Sequence, residues 1–118
     1  GGIFAPIIDI RGGDTNFGDV VIGKYKERTF TVKNLGTADL GQGIFNIVGP
    51  FYCVSPISPL DGKCHYNLTA GSEIVITIRF APIVRGLASG AVSLSGVPLG
   101  KFFVTVNGIP PTVKFIEK

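Results

Sequence analysis

Apolar and polar residues alternate along most of this chain. In Thr29-Phe30-Thr31-Val32-Lys33 every second residue is apolar, and in Glu73–Phe80 the set Ile74, Ile76, Ile78 and Phe80 recurs at the same interval. Ala91–Ser95 places Val92 and Leu94 on one side, and Phe102, Val104 and Val106 continue the pattern opposite Phe103, Thr105 and Asn107. A period of two belongs to an extended strand, whose successive side chains point to opposite faces, one buried and one wetted. Chain reversals punctuate the runs: Gly12-Gly13-Asp14, Gly23, Asn34-Leu35-Gly36, Gly49-Pro50, Asp61-Gly62, Ala70-Gly71-Ser72, Arg85-Gly86 and Gly96-Val97-Pro98. Pro82 follows Phe80-Ala81 and should close that strand, because proline gives no amide hydrogen to a ladder. Strands are predicted near 7–10, 18–23, 26–34, 42–48, 51–54, 65–69, 73–80, 89–95 and 101–107. No long segment carries a helical stripe. About seven to nine short strands in one small chain predict an all-β protein, an antiparallel immunoglobulin-like β-sandwich. The polar sets Thr29, Thr31, Lys33 and Glu73, Thr77, Arg79 fit sheets wetted on one side, and they fit a parallel α/β enzyme poorly.

Composition narrows this further. A chain of 118 residues holds one domain. A hydrophobic share of 45% excludes intrinsic disorder, and a charged share of 16% argues against a long solvated helix. The 17 glycines and 8 prolines follow no collagen period, so they read as turns. No apolar run approaches the ~20 residues of a membrane span, and the first residues carry no signal-peptide pattern, so no membrane insertion is expected of this segment. The net charge is +3. Lys24, Lys26 and Arg28 are the one close basic set and are expected to share a solvated strand face. A nucleic-acid footprint would be denser, so no nucleic-acid partner is expected.

The order of several short motifs points to a family. Asn16-Phe17-Gly18-Asp19-Val20-Val21-Ile22-Gly23 resembles the FG-x-V-x-x-G opening of ASH-type modules, the immunoglobulin-like domains of the abnormal-spindle and Hydin group, akin to major sperm protein. Phe30 to Leu40, with Asn34 and Gly36, resembles the F-x-V-x-N-x-G-x-x-x-L that follows, and Ile44–Gly49 with Phe51 the next strand and its turn. Phe80-Ala81-Pro82 with Gly86 and Gly90 resembles F-x-P-x-x-x-G-x-x-x-G, and Val104–Gly108 resembles the closing V-x-L-x-G-x-G. The resemblance covers residues 5 to 110. Among subfamilies it is most similar to bacterial and archaeal choice-of-anchor D surface repeats, in which paired cysteines stand just before the F-x-P strand. Here an extra stretch, Asn67 to Ser72, separates Cys64 from that strand. The resemblance implies a structural module, with Phe17, Gly18, Gly23, Asn34, Gly36, Phe80, Pro82 and Gly86 as its motif positions. Phe17, Phe30 and Phe80 suit the space between sheets. Gly36 suits a positive φ at a sharp turn, and Gly18 and Gly23 should bracket a short edge strand.

Few residues could carry chemistry. Cys53 and Cys64 are the two cysteines. A disulfide clasping the Pro56–Lys63 loop would stabilise by about 3 kcal/mol in the loop-entropy model and would imply an oxidising compartment. Two reduced buried thiols, or half a metal site in which His65 adds a third ligand and no fourth is evident, are the alternatives. His65 is the one histidine and the one candidate catalytic base, but no G-x-S-x-G elbow accompanies it. Ser55, Ser58, Ser72, Ser89, Ser93 and Ser95 read as loop or outer-strand residues. Asp9, Asp14 and Asp19 could offer a weak interdomain Ca²⁺ site, although solvated turn residues are the simpler reading, as they are for Asp39 and Asp61. Gly12-Gly13 and Gly41-Gln42-Gly43 lack the helix and Lys-Ser/Thr of a phosphate loop. Asn67-Leu68-Thr69 is a glycosylation sequon. Tyr25, Tyr52 and Tyr66 are the candidates for an aromatic carbohydrate platform.

The resulting expectation is a non-catalytic module of a secreted or cell-surface prokaryotic protein, with no cofactor and no metal. It would act as a spacer, an adhesion unit or a protein-binding domain, with neighbouring domains of the same chain among its partners and its protein or surface ligand unnamed. Alternatives are an intracellular scaffold or targeting module of ASH type and an accessory domain of a secreted enzyme. Residues 1–4 read as a tag or linker, 5–109 as the sandwich, and 110–118 as a linker or the start of a following module. The start, Ala5-Pro6-Ile7-Ile8, and the tail, Pro110-Pro111-Thr112-Val113, both read as proline followed by apolar alternation, as in a tandem array.

Overall fold

The protein is seen in a computed structural model that describes residues 6–95 and 101–111. Nine strands follow in order: β1 (Ile8–Gly12), β2 (Asn16–Val21), β3 (Lys26–Asn34), β4 (Gly41–Val48), β5 (Phe51–Ser55), β6 (His65–Leu68), β7 (Glu73–Phe80), β8 (Gly86–Leu94) and β9 (Lys101–Ile109). The described residues include no helix. The strands form a four-stranded sheet, β1-β3-β7-β5, and a five-stranded sheet, β2-β9-β8-β4-β6. Their inward residues meet in one core. Residues 1–4, read as a tag or linker, lie outside the described residues, as does the tail from 112 on and the Gly96-Val97-Pro98 reversal.

The alternation places the core where it should be. Ile76, Ile78 and Phe80 are buried from β7, Val92 and Leu94 from β8, and Val104 and Val106 from β9. Phe17, Phe51 and Phe80 form a chain of rings with centroids 5.2 and 5.3 Å apart, spanning both sheets. Burying each such ring contributes roughly 1.5–3 kcal/mol. Gly90 of β8 lies beneath this chain. A Cβ there would collide with the Val48 carbonyl oxygen and sit 2.7 Å from the Phe51 ring, so only glycine lets β8 pass.

The all-β immunoglobulin-like sandwich is the fold expected, and two details differ. The sandwich is not wholly antiparallel, because β2 pairs with β9 in parallel register, Val20 opposite Gly108 and Val21 opposite Ile109. These strands come from opposite ends of the chain, and no hairpin obliges them to reverse direction. The second concerns the basic set. Lys26 and Arg28 share the inward parity of Phe30 and Val32 on β3, and both are half-buried. The Arg28 guanidinium lies 6.0 Å from the centroid of the Phe17 ring, capping the end of the core rather than lining a solvated face. Lys24 stands apart in the turn before β3, its amide donating to the Val21 carbonyl at 2.9 Å.

Candidate functional site

The motif residues are the frame on which any site is held. Asn34 is fully buried at the end of β3. Its carboxamide oxygen accepts from the amides of Ile7 at 3.1 Å and Gly36 at 2.9 Å. Its nitrogen donates to the carbonyls of Ala38 at 2.8 Å and Leu68 at 3.4 Å. One side chain thus ties the approach to β1, the β3–β4 loop and the end of β6. Gly36 does not take a positive φ; the turn is made instead by the Asn34 side chain, which mimics a backbone turn. Gly23 (φ +90°) and Gly86 (φ +118°) do occupy the left-handed region. Gly18 lies inside β2 rather than at its start. Pro82 is buried beyond β7.

Cys53 and Cys64 are disulfide-bonded. Both sulfurs face the core, with Cys64 almost fully buried, so neither is free as a thiol or a metal ligand. The bond pins the edge strand β5 to the residue before β6, joining the margins of the two sheets. Outside it, His65 Nε2 at the start of β6 and Asp61 Oδ2 on the preceding exposed loop are 2.7 Å apart. The Asp61 carboxyl is held below its ordinary pKa, first by the Lys63 amide that donates to it and then by His65. No serine joins this pair: Ser95 accepts the Ile44 amide at 3.0 Å and Ser72 donates to the Thr69 carbonyl at 2.8 Å. Among the described residues no group of three or more His, Cys, Asp or Glu could hold a metal. Asp9, Asp14 and Asp19 are separated: Asp9 pairs with Arg11 on β1, Asp14 accepts the Asn16 amide, and Asp19 accepts the Asn107 amide nitrogen from β9.

The tyrosines divide. Tyr66 is buried and donates its hydroxyl to the Ser95 carbonyl at 2.6 Å, so it is no part of a surface platform. Tyr25 and Tyr52 are exposed and flank Arg79, whose guanidinium lies 4.2 Å from one ring centroid and 5.8 Å from the other. Glu27 stands 3.3 Å from the same guanidinium. Tyr52 first, and then Glu27, raise the Arg79 pKa above its ordinary value. Sequence reasoning named the two tyrosines and missed Arg79 as their bridge. The signal is strand register, which sets Glu27 opposite Arg79 and Arg79 opposite Tyr52 across three strands.

The outer faces of the two sheets differ in chemistry. On the four-stranded sheet the charges answer one another, with Asp9 opposite Lys33 and Lys33 opposite Glu73. The five-stranded sheet carries an apolar row, Val48 opposite Ala91 and Ala91 opposite Phe103, with Ser89 opposite Thr105 and Leu87 opposite Asn107. Val48, Phe103 and Leu87 of this face are exposed.

A two-sheet immunoglobulin-like sandwich with an internal disulfide is therefore the class that this chain defines. Solved structures share the architecture. The ASH/PapD-like domain 7 of human CEP192 is 17% identical, covers 89% of this chain and 87% of its own, and superposes with a TM-score of 0.56. The CARDB domain of a Pyrococcus furiosus protein, solved in complex with di-metal ions, is 21% identical with 90% of both chains covered and a TM-score of 0.58. Domains 4 and 5 of the S-layer protein SbsC are 17% identical with a TM-score of 0.52, over 89% of this chain and 47% of theirs. The ASH-like fold read from the motifs is thus the fold observed. No protein-family model matches the chain, and no curated protein sequence matches it.

Proposed function

We propose that this domain is a non-catalytic structural and binding module of a secreted or cell-surface protein, a spacer and adhesion unit set between neighbouring domains. The observation that carries the reading is the Cys53–Cys64 bond at the core margin, since such bonds persist in oxidising compartments. The shared fold of the S-layer and CARDB domains supports it. Residues 5–109 act as the module, and 1–4 and 110–118 as linkers or the start of the next unit. Another strand would be added at β1, which makes five unbroken pairs with β3 on one side only. The other edges are blunted: β2 and β5 carry register breaks and β6 has 4 residues. The second reading, an intracellular ASH-type scaffold, draws on the CEP192 neighbour. The two separate on the redox state of Cys53 and Cys64 in the native host. Thiols are trapped by alkylation at harvest and counted by intact mass. An intact bridge is expected. Two alkylated cysteines would replace the surface reading with the intracellular one.

A further inference from the structure

We infer that the outer face of β2, β9 and β8 is a binding site for a neutral saccharide, centred on the Asp19–Asn107 pair. The inference deepens the adhesion reading above by naming the chemical class of its ligand, and it rests on that reading for its biological sense.

The site is built by an irregularity in β2. In a regular strand Asn16 and Asp19, an odd number of positions apart, would point to opposite faces. The register between Asn16/Thr105 and Asp19/Asn107 breaks at Gly18, which takes φ +71°. The break allows Phe17 and Val20 to be buried while Asn16 and Asp19 stay exposed. A bulge at a sheet edge is a recognised way of re-aiming side chains. Local hydrogen bonds hold this one: the Asn16 carboxamide oxygen accepts the Gly18 amide at 2.9 Å, and the Asp14 carboxylate accepts the Asn16 amide at 2.9 Å. The result is a shallow concavity of about 420 Å³, lined among others by Asn16, Asp19, Leu87, Ser89, Thr105 and Asn107.

The lining selects its ligand. Asn107 Nδ2 donates to Asp19 Oδ1 at 3.0 Å, which fixes both planes. Among the described residues the second oxygen of Asp19 and the amide oxygen of Asn107 have no hydrogen-bond partner and remain acceptors. The Ser89 and Thr105 hydroxyls both donate and accept. Leu87, 88% exposed, and Phe103, 67% exposed and two positions from Thr105 on the same face, offer apolar surface to the C–H faces of a sugar ring, Phe103 through the ring face that the Lys101 ammonium, 5.2 Å from the centroid, does not cover. An anion would meet the Asp19 carboxylate, and a metal cation would find a single carboxylate. A polyol with alternating O–H and C–H surface meets each group with its complement. Two other concavities among the described residues suit it less. One is lined by charged residues, with Asp9 bound to Arg11 and Lys33 standing opposite both Asp9 and Glu73 in register, which suits a charged ligand better than a neutral one. The other sits against the disulfide beside Lys63.

The test is an NMR titration of the full 118-residue chain with neutral cello-, manno-, galacto- and N-acetylglucosamine hexamers. A polygalacturonate oligomer serves as the anionic counterpart. At least one neutral hexamer should bind with a Kd of about 1 mM or tighter, with shifts confined to amides of β2, β8 and β9. Asp19→Ala, Asn107→Ala and Phe103→Ala should each weaken binding about tenfold or more, with unchanged amide dispersion and melting temperature. Binding of none of the hexamers, shifts centred on Tyr25 and Tyr52, tighter binding of the anionic oligomer, or occupation of the face by a second copy in sedimentation would each overturn the inference. The redox measurement is independent: alkylated thiols would remove the surface reading and leave this titration intact, whereas a failed titration leaves the disulfide in place.

Discussion

Replacing Asn34 by alanine removes a single small side chain and should cost more stability than its size suggests. The carboxamide makes four hydrogen bonds, of which those to the Gly36 amide and the Leu68 carbonyl are buried and those to the Ile7 amide and Ala38 carbonyl are partly buried. A net hydrogen bond contributes about 1 kcal/mol, and a buried group left without a partner costs about 1–3 kcal/mol. The two partly buried groups can recover water, and the 3.4 Å contact to Leu68 is the weakest of the four. The loss then comes to about 3 kcal/mol, a large share of the roughly 5–15 kcal/mol that typical domains possess. Urea unfolding by fluorescence or circular dichroism should show a lower midpoint at unchanged slope, which is the signature of lost stability rather than altered compactness. Asn34→Asp separates acceptor from donor. It retains both acceptor contacts, loses both donors, and sets a carboxylate against two carbonyl oxygens. Burial and those oxygens raise the pKa of such a group. A raised folded pKa means that the variant is closest to wild type below the unfolded pKa and falls away as pH rises through the folded one. A loss below about 1 kcal/mol for Asn34→Ala, or an Asn34→Asp variant equal to wild type at neutral pH, would refute the account.

Loss of the disulfide in a Cys53→Ala/Cys64→Ala double variant should lower stability by about 3 kcal/mol, read from the same urea curves with the wild-type chain under non-reducing conditions. Gly90→Ala drives a methyl group into the Val48 carbonyl and the Phe51 ring and should cost about 1–3 kcal/mol, the usual penalty of overpacking, measured as a lower melting temperature. The Asp61 carboxyl, whose folded pKa is lowered by the Lys63 amide and His65, adds stability above its unfolded pKa and loses it as pH falls through the folded one. A carboxyl-carbon NMR titration should therefore place its midpoint below the ordinary aspartate value, and Lys63→Pro, which removes the amide donor, should move it upward.

How much of this was legible in the chain follows from which interactions are local. Strands β3 and β7 were readable to the residue, at Lys26–Asn34 and Glu73–Phe80, because one buried face imposes alternation over eight or nine positions. β2 was misplaced toward Gly23 because its alternation is broken at Gly18, and a bulge hides the period on which the reading depends. The parallel β2–β9 ladder was not legible, since direction between distant strands is settled by the whole topology rather than by any local pattern. Arg28 read as solvated because its charge outweighs its parity, whereas a guanidinium can lie over an aromatic ring, as this one does over Phe17. The Asp19–Asn107 pair joins residues far apart in sequence, and nothing in either segment names the other.

The motif and the proposed site use the same short stretch for different ends. Phe17, Phe30, Asn34, Phe80 and Pro82 are buried, so a sequence that keeps them keeps the sandwich. Such positions can recur wherever the fold recurs, whatever the domain binds. Asn16, Asp19 and Phe103 are exposed and contribute little to the core. They can change without unfolding the chain. Gly18 belongs to both sets: its left-handed φ lets the motif bury Phe17 and Val20 together, and the same φ carries Asp19 to the outer face. Motif likeness therefore fixes where a ligand-facing residue can stand, and the side chains standing there decide what is bound.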